Sequence, residues 1–220
     1  MICKILPNAP LLDEQLVARA RALTPALLCD AMGTTGSLDY RIKPVWPGAV
    51  VIGTALTVNL RPSDNLFLHR AICQAAPGYV LIAATGECTG YAVWGDMMTR
   101  AALKAGAAGT VVDGVVRDVD DIREFQYPVF AFGSVPQGTH RDGPGQINVP
   151  IACGGVTVMP GDLVFGNADG IAVVPREIVA EILPLAEKKL AGENARFAEI
   201  AQGKLAPAWL AEKMKSLGLE

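Results

Sequence analysis

Between Gly95 and Asp118 the chain reads GDMMTRAALKAGAAGTVVDGVVRD, and this stretch constrains the fold more than any other. Met98, Ala101, Ala102 and Ala105 recur at helical spacing, which predicts a helix over 97–105 with Gly106 as its C-cap. Thr110 to Val112 is a β-branched run and predicts a short buried strand. A helix followed at once by a strand needs a sheet to join and a face to cover, so a mixed α/β architecture is expected. Gly95-Asp96 opens the helix, where the first amides lack intrahelical acceptors and attract anions. The strand is expected to deliver Arg117 and Asp118 at its carboxyl end. Asp96 and the Arg117-Asp118 pair are separated by twenty residues in sequence, yet this path folds them back onto one place. A carboxylate ligand and a divalent metal could sit there side by side.

The remaining segments extend the same alternation. Residues 13–23 read as a helix, and Thr24-Pro25 supplies an N-cap and a first-turn proline for a second helix to about residue 31. Residues 49–58 are strand-like, with Gly53 expected as a bulge; 64–75 read as a helix, 79–84 as a strand, 119–125 as a short helix and 129–132 as a strand. From 147 to 174, β-branched residues alternate with turns such as Pro160-Gly161-Asp162 and Ala168-Asp169-Gly170, which predicts paired strands without intervening helices. A helical region from 176 to about 202 is expected to be interrupted at Pro184 and Gly192. No repeat or linker divides the chain. One domain over 1–220 is expected, with a C-terminal helical extension from about 176.

Composition excludes several classes. A net charge of −3 and the absence of a Lys/Arg stripe interleaved with aromatics argue against direct nucleic-acid binding. No apolar run approaches the roughly 20 residues of a membrane helix, and MICKILPNAP lacks a long hydrophobic core, so a cytoplasmic protein is expected. The five cysteines show no CxxC spacing and are expected to be reduced and mostly buried.

Each charged residue of the motif also has a plain structural reading. Asp118 would serve as N-cap of the helix beginning at Val119, Arg117 as a surface ion-pair partner, and Asp96 as a carboxylate favoured by the helix dipole. Their combination suits a hard divalent cation and a small oxo acid, because such cations take oxygen ligands and retain waters. Lys104 falls on the helix face away from the motif, which disfavours a Schiff-base mechanism. His69 and His140 have no metal-ligand spacing; His69 is expected on a partly buried helix face and His140 in the polar GTHRDG loop, open to a role at a substrate channel.

These residues, with Thr24-Pro25-Ala26, Asp30-Ala31-Met32, Gly133-Ser134, Gly145-Gln146-Ile147, Pro160-Gly161-Asp162 and Asp169-Gly170, resemble the RraA-like family. That family contains the metal-dependent (class II) 4-hydroxy-4-methyl-2-oxoglutarate / 4-carboxy-4-hydroxy-2-oxoadipate aldolases and the regulators of ribonuclease E activity. The resemblance implies a β/β/α swivelling-type three-layer sandwich, assembled as trimers or hexamers with sites at subunit interfaces. It implies that the amides of Gly95, Asp96, Met97 and Met98 bind a pyruvoyl carboxylate and that Arg117 binds the 2-oxo oxygen. Asp118 would be the protein ligand of Mg²⁺ or Mn²⁺, Asp96 would hold a metal-bound water, and Glu193 would reach the metal waters from a neighbouring subunit. The implied reaction is aldol cleavage of a 4-hydroxy-2-oxo acid, with oxaloacetate decarboxylation at the same site. The alternative is a non-catalytic regulator that binds ribonuclease E. The two differ at Asp96, which regulator-type members tend to lack, although Asp121 also satisfies the acidic position of the regulator pattern. No glycine-rich strand-to-helix turn supports a methyltransferase.

Overall fold

Runs of β-branched residues that are buried on both faces make strands for the middle of a sheet, and this chain has several. Residues 2–219 are described here from a computed structural model. The strands are β1 (Lys4–Ile5), β2 (Lys43–Pro44), β3 (Val51–Leu60), β4 (Tyr79–Ala84), β5 (Ala92–Trp94), β6 (Gly109–Val112), β7 (Val115–Val116), β8 (Val129–Ala131), β9 (Gly133–Ser134), β10 (Gly145–Ile147), β11 (Ile151–Cys153), β12 (Val156–Val158), β13 (Leu163–Asn167) and β14 (Gly170–Val174). The helices are α1 (Glu14–Arg21), α2 (Pro25–Ala31), α3 (Leu66–Ile72), α4 (Asp96–Ala105), α5 (Val119–Glu124), α6 (Val179–Ala201) and α7 (Leu210–Ser216).

Strands β3, β4, β6 and β8 run parallel at the centre of the main sheet. On its other edge, β3 pairs antiparallel with β13 through its first half and with β10 through its last residues. Side-chain alternation along the central strands fixes two faces. Tyr79, Leu81 and Ala83 of β4 pack toward α3, α4 and α5 together with Val93, Trp94 and Val116. Val80, Ile82 and Ala84 pack toward Ile151, Val158, Ile171 and Val173 of the later strands. The result is the three-layer sandwich that the resemblance implies. A third cluster joins α1, α2 and the first half of α6 to β13 and β14.

Several expectations are met in detail. Thr24 Oγ1 accepts from Leu27 N at 3.2 Å with Pro25 in the first turn, and Gly106 closes α4 at φ 81°. The turn at Ala168-Asp169 joins β13 to β14 with Asn167 opposite Gly170.

Others are corrected. The helix expected over 64–75 is shorter: α3 ends at Ile72, and it starts only at Leu66 because Asp64 is bridged to His140 and Asn65 N bonds the His140 carbonyl. Gly53 is no bulge. It lies in regular register opposite Val164, and a Cβ there would stand 2.4 Å from the Gly78 carbonyl oxygen, so glycine is required by close backbone approach. α6 is not interrupted at Pro184 or Gly192 but runs unbroken for 23 residues. Burial of Val179, Ile182, Leu183 and Ala186 on both sides of Pro184 holds the first half in place, reinforced by ion pairs from Glu187 to Arg19 and from Lys189 to Asp30. Among the cysteines only Cys153 is buried; Cys29 and Cys88 are half-buried, Cys3 and Cys73 are exposed, and all five are unpaired.

The strand over 110–112 does not itself carry Arg117. β6 ends at Val112 in the main sheet, and Asp113-Gly114 hand the chain to a second, three-stranded parallel sheet of β5, β7 and β9. Asp113 is the buried hinge of this transfer: its carboxylate accepts from Thr85 N, and Thr85 Oγ1 donates back to the Asp113 carbonyl at 3.0 Å. Burial pushes the Asp113 carboxyl up to about 6. The folded state therefore binds the proton more tightly than the unfolded chain, and stability from this group is present at low pH and lost as pH rises from about 4 to about 6. Asp113→Asn is expected to gain stability relative to the wild type over that window, by up to about 3 kcal/mol. Thermal unfolding at pH 4.5 and 7.5 checks this; a constant offset between the two proteins would contradict it.

Candidate active site

The small parallel sheet explains how residues twenty positions apart meet. Trp94 of β5 pairs with Val116 of β7, so Gly95-Asp96 and Arg117-Asp118 leave adjacent strands at the same carboxyl-terminal edge. Arg117 N donates to the Trp94 carbonyl at 2.9 Å, which fixes the register at the point of departure. The segment after β9 returns alongside β5, with Ala92 N bonded to the Gln137 carbonyl at 2.8 Å and Gly138 bridged to Ala92. The ends of β5 and β7, with the segment from Gly138 onward, thus border one cleft of about 410 Å³. Clefts at the carboxyl ends of parallel strands are the usual ligand sites of open α/β sheets.

Asp118 occupies the N-cap position of α5, as its plain reading expects, but its side chain caps nothing there. Its Oδ2 accepts instead from Asp96 N at 3.1 Å and lies 3.3 Å from Arg117 Nε. Asp118 also holds φ 57°, a left-handed conformation that costs a non-glycine residue roughly 1–2 kcal/mol. The backbone conformation turns the carboxylate away from α5 and toward α4. Gly95 makes room for it, since a Cβ at that position would lie 2.5 Å from Asp118 Oδ2.

The first turn of α4 is braced from within: Trp94 Nε1 donates to Thr99 Oγ1 at 2.9 Å, and Thr99 Oγ1 reaches the Gly95 carbonyl at 3.0 Å. One of the four expected anion-binding amides is already engaged, since Asp96 N serves Asp118. Met97 N and Met98 N have no backbone acceptor outside the helix among the described residues, and they keep the positive end of the helix available. Asp96 turns its carboxylate toward Arg100, 3.8 Å away, and remains partly exposed to the cleft.

The donor set bears on a metal. No group of three or more His, Cys, Asp or Glu side chains converges anywhere among the described residues. Asp96 and Asp118 both line the cleft, and Asp118 has one oxygen without a partner among the described residues. Two carboxylates with space beside them fit a hard cation that retains most of its water, and do not fit a closed protein cage.

The rest of the lining comes from α3 and the loop after β9. Asn65, His69, Gly138, Thr139, His140 and Arg141 all border the cleft. Gly138 lies under the Arg117 guanidinium, where a Cβ would stand 2.8 Å from Nη1. Asn65 Nδ2 donates to the Val93 carbonyl at 3.0 Å, and Asn65 Oδ1, His69 Nε2 and Thr139 Oγ1 are buried without partners. Burial and the nearby Arg141 charge hold the His69 imidazole below its ordinary pKa. His69 and His140, each with a structural reading from sequence, are therefore both at the cleft. Lys104, in the last turn of α4, is not among the lining residues, as expected. Glu193 sits on the outward half of α6, likewise outside this chain's cleft lining. Asn65, Gly138 and Thr139 escaped sequence reasoning; the only signal was the density of polar residues in GTHRDG.

Residues 25–173 match the family described as RraA-like: Aldolase/RraA. A protein of Halalkalibacterium halodurans named "Putative 4-hydroxy-4-methyl-2-oxoglutarate aldolase" is 37% identical over 203 residues, covering 92% of this chain and 96% of that protein. An uncharacterized protein from Pseudomonas syringae pv. tomato superposes with a TM-score of 0.78 at 31% identity, over 89% of this chain and 96% of the other. The RNA-processing inhibitor RraA from Thermus thermophilis superposes at 0.63 with 28% identity, over 69% of this chain and 92% of the other. The family match and the full-length relative place the chain: it belongs to the RraA-like (Aldolase/RraA) family.

Proposed function

We propose that the protein is a divalent-metal-dependent lyase that cleaves 4-hydroxy-2-oxo acids to pyruvate, with oxaloacetate decarboxylation as a second reaction of the same site. The observation that carries this reading is the convergence of Asp96, Arg117 and Asp118 on the open first turn of α4. In aldol cleavage the C3–C4 bond breaks, its electrons pass to the 2-oxo oxygen, the 4-hydroxyl gives its proton to water in the open cleft as it becomes a carbonyl, and C3 of the enolate then takes a proton from water to give pyruvate. The Met97 and Met98 amides hold the C1 carboxylate, helped by the helix dipole. The Arg117 guanidinium donates to the 2-oxo oxygen, where negative charge grows as the bond breaks. Asp118 would hold Mg²⁺ or Mn²⁺ directly and Asp96 would hold one of its waters; the cation supplies Lewis-acid polarisation of the 2-oxo group. Decarboxylation of oxaloacetate leaves the same charge on the same oxygen, so these residues serve both.

The assembly belongs to this reading. Phe197, Leu205 and Trp209 on and after α6 are each at least 60% exposed, which supports burial of this arm against further copies in a trimer or hexamer. Glu193 of one copy would then complete the site of another. The function is tested by exchange of the pyruvate methyl protons in D₂O, followed by NMR. Exchange that needs Mg²⁺ or Mn²⁺ is the expected result, and co-refolding of inactive Glu193→Ala with inactive Asp118→Ala is expected to restore part of it. A wild type that exchanges nothing with any divalent metal, yet inhibits a ribonuclease, would favour the regulator reading that the Thermus relative's name suggests.

A further inference from the structure

Asp64 is a buried carboxylate whose two oxygens accept from three backbone amides, and Asp64 itself is not among the residues that line the cleft. It is 1% exposed. Its Oδ1 accepts from Leu66 N at 2.9 Å, at the start of α3, and its Oδ2 accepts from Asp142 N at 2.6 Å and Gly143 N at 2.9 Å. Around it, Asn65 N bonds the His140 carbonyl at 3.1 Å, His140 N bonds the Ser63 carbonyl at 3.0 Å, and Arg61 Nη1 bonds the Gly143 carbonyl at 3.0 Å. One buried side chain thus ties α3, which brings Asn65 and His69 to the cleft, to the far end of the loop that brings His140 and Arg141.

The loop has two separate anchors. Its near end, Gln137-Gly138, is pinned to Ala92 of β5 and carries the backbone under Arg117. Its far end is pinned by Asp64 alone among the acidic side chains described. Under the lyase reading the near end, beneath Arg117, belongs with the residues that would handle the pyruvate fragment, which leaves the far end, on the same cleft, for what extends beyond C3.

We infer that Asp64 is a positioning residue for substrate recognition, holding the His140–Asp142 segment and α3 at the separation that the 4-substituted end of the oxo acid requires. This rests on the lyase reading above. Hydrogen bonds from backbone amides to a buried carboxylate are charge-assisted and short, and an asparagine there offers one acceptor oxygen, so either the Leu66 amide or the Asp142–Gly143 pair is left facing an NH2 group. Either loss loosens the tie between α3 and the His140–Asp142 segment, and none of these bonds involves Asp96, Arg117 or Asp118.

The test compares two reactions in Asp64→Asn. Cleavage of 4-hydroxy-4-methyl-2-oxoglutarate is expected to show KM raised about tenfold or more. Pyruvate methyl-proton exchange, whose substrate has nothing beyond C3, is expected to stay within about twofold of wild type. Hydrogen exchange should show lost protection at Leu66, or at Asp142 and Gly143, with α4 unchanged. Equal losses in both reactions, or unchanged KM for cleavage, would overturn the role of Asp64 alone. A wild type inert in both reactions would overturn the lyase reading and this role with it. If Asp64→Asn does not fold, Arg61→Met releases the same turn from its solvent side and is expected to give the same split at smaller size; no split there would equally overturn the proposal.

Discussion

Arg117→Lys is expected to lower turnover by about 100-fold or more while leaving the protein folded. The charge survives this substitution, so a loss of that size isolates geometry. Arg117 leaves β7 at a backbone bond to Trp94, lies with Nε 3.3 Å from Asp118, and passes its terminal nitrogens over Gly138. The planar fork can address Asp118 with one edge and a substrate oxygen with another. A lysine ammonium is a single point of charge and must choose. Because the Arg117 side chain is 42% exposed, its replacement removes little packing, and the melting temperature is expected to change by no more than a few degrees. Near wild-type kinetics in this variant would reduce Arg117 to an ion-pair partner of Asp118.

Asp96→Gly separates chemistry from stability at the other half of the site. As a helix-start carboxylate, Asp96 contributes roughly 0.3–1 kcal/mol through the dipole, and its 3.8 Å pairing with Arg100 adds a few tenths at most. For a chain of this size, the sum corresponds to about 2–4 °C in melting temperature. As the holder of a metal water it would matter far more for turnover, with an expected loss of about 100-fold or more. The Asp96 N–H bond to Asp118 is a backbone bond and survives the substitution, so Asp118 should keep its place. Retained activity with a lowered melting temperature would make Asp96 a structural residue only.

The sequence made α4 and its caps legible because ten residues of helix offer three turns of spacing and Gly106 an unambiguous stop. The same reading placed Asp96 and Arg117-Asp118 together, correctly, but through the wrong strand. Val115–Val116 is two residues long, too short to show any period, and TVVDGVV reads as one strand unless Asp113-Gly114 is taken as a break. The far lining of the cleft was not legible for a different reason. Asn65 and Thr139 are 74 positions apart in sequence, and what joins them is a set of backbone bonds around Asp64 that leaves no local pattern. Pro184 misled because propensity is a local quantity, while burial of its neighbours against β13 and β14 is not.

Under the lyase reading, a metal and Arg117 together draw electrons from C3 of a 2-oxo acid. Pyruvate release from 4-hydroxy-4-methyl-2-oxoglutarate, 4-carboxy-4-hydroxy-2-oxoadipate and oxaloacetate, followed by a coupled assay, tests it directly. One or two carboxylates and retained waters make a cation site of modest affinity, which a chelator should strip. Release is expected with at least one of these acids, with loss in excess EDTA and return with Mg²⁺ or Mn²⁺. Full activity in excess chelator, or no release from any of the three with either metal, would contradict it.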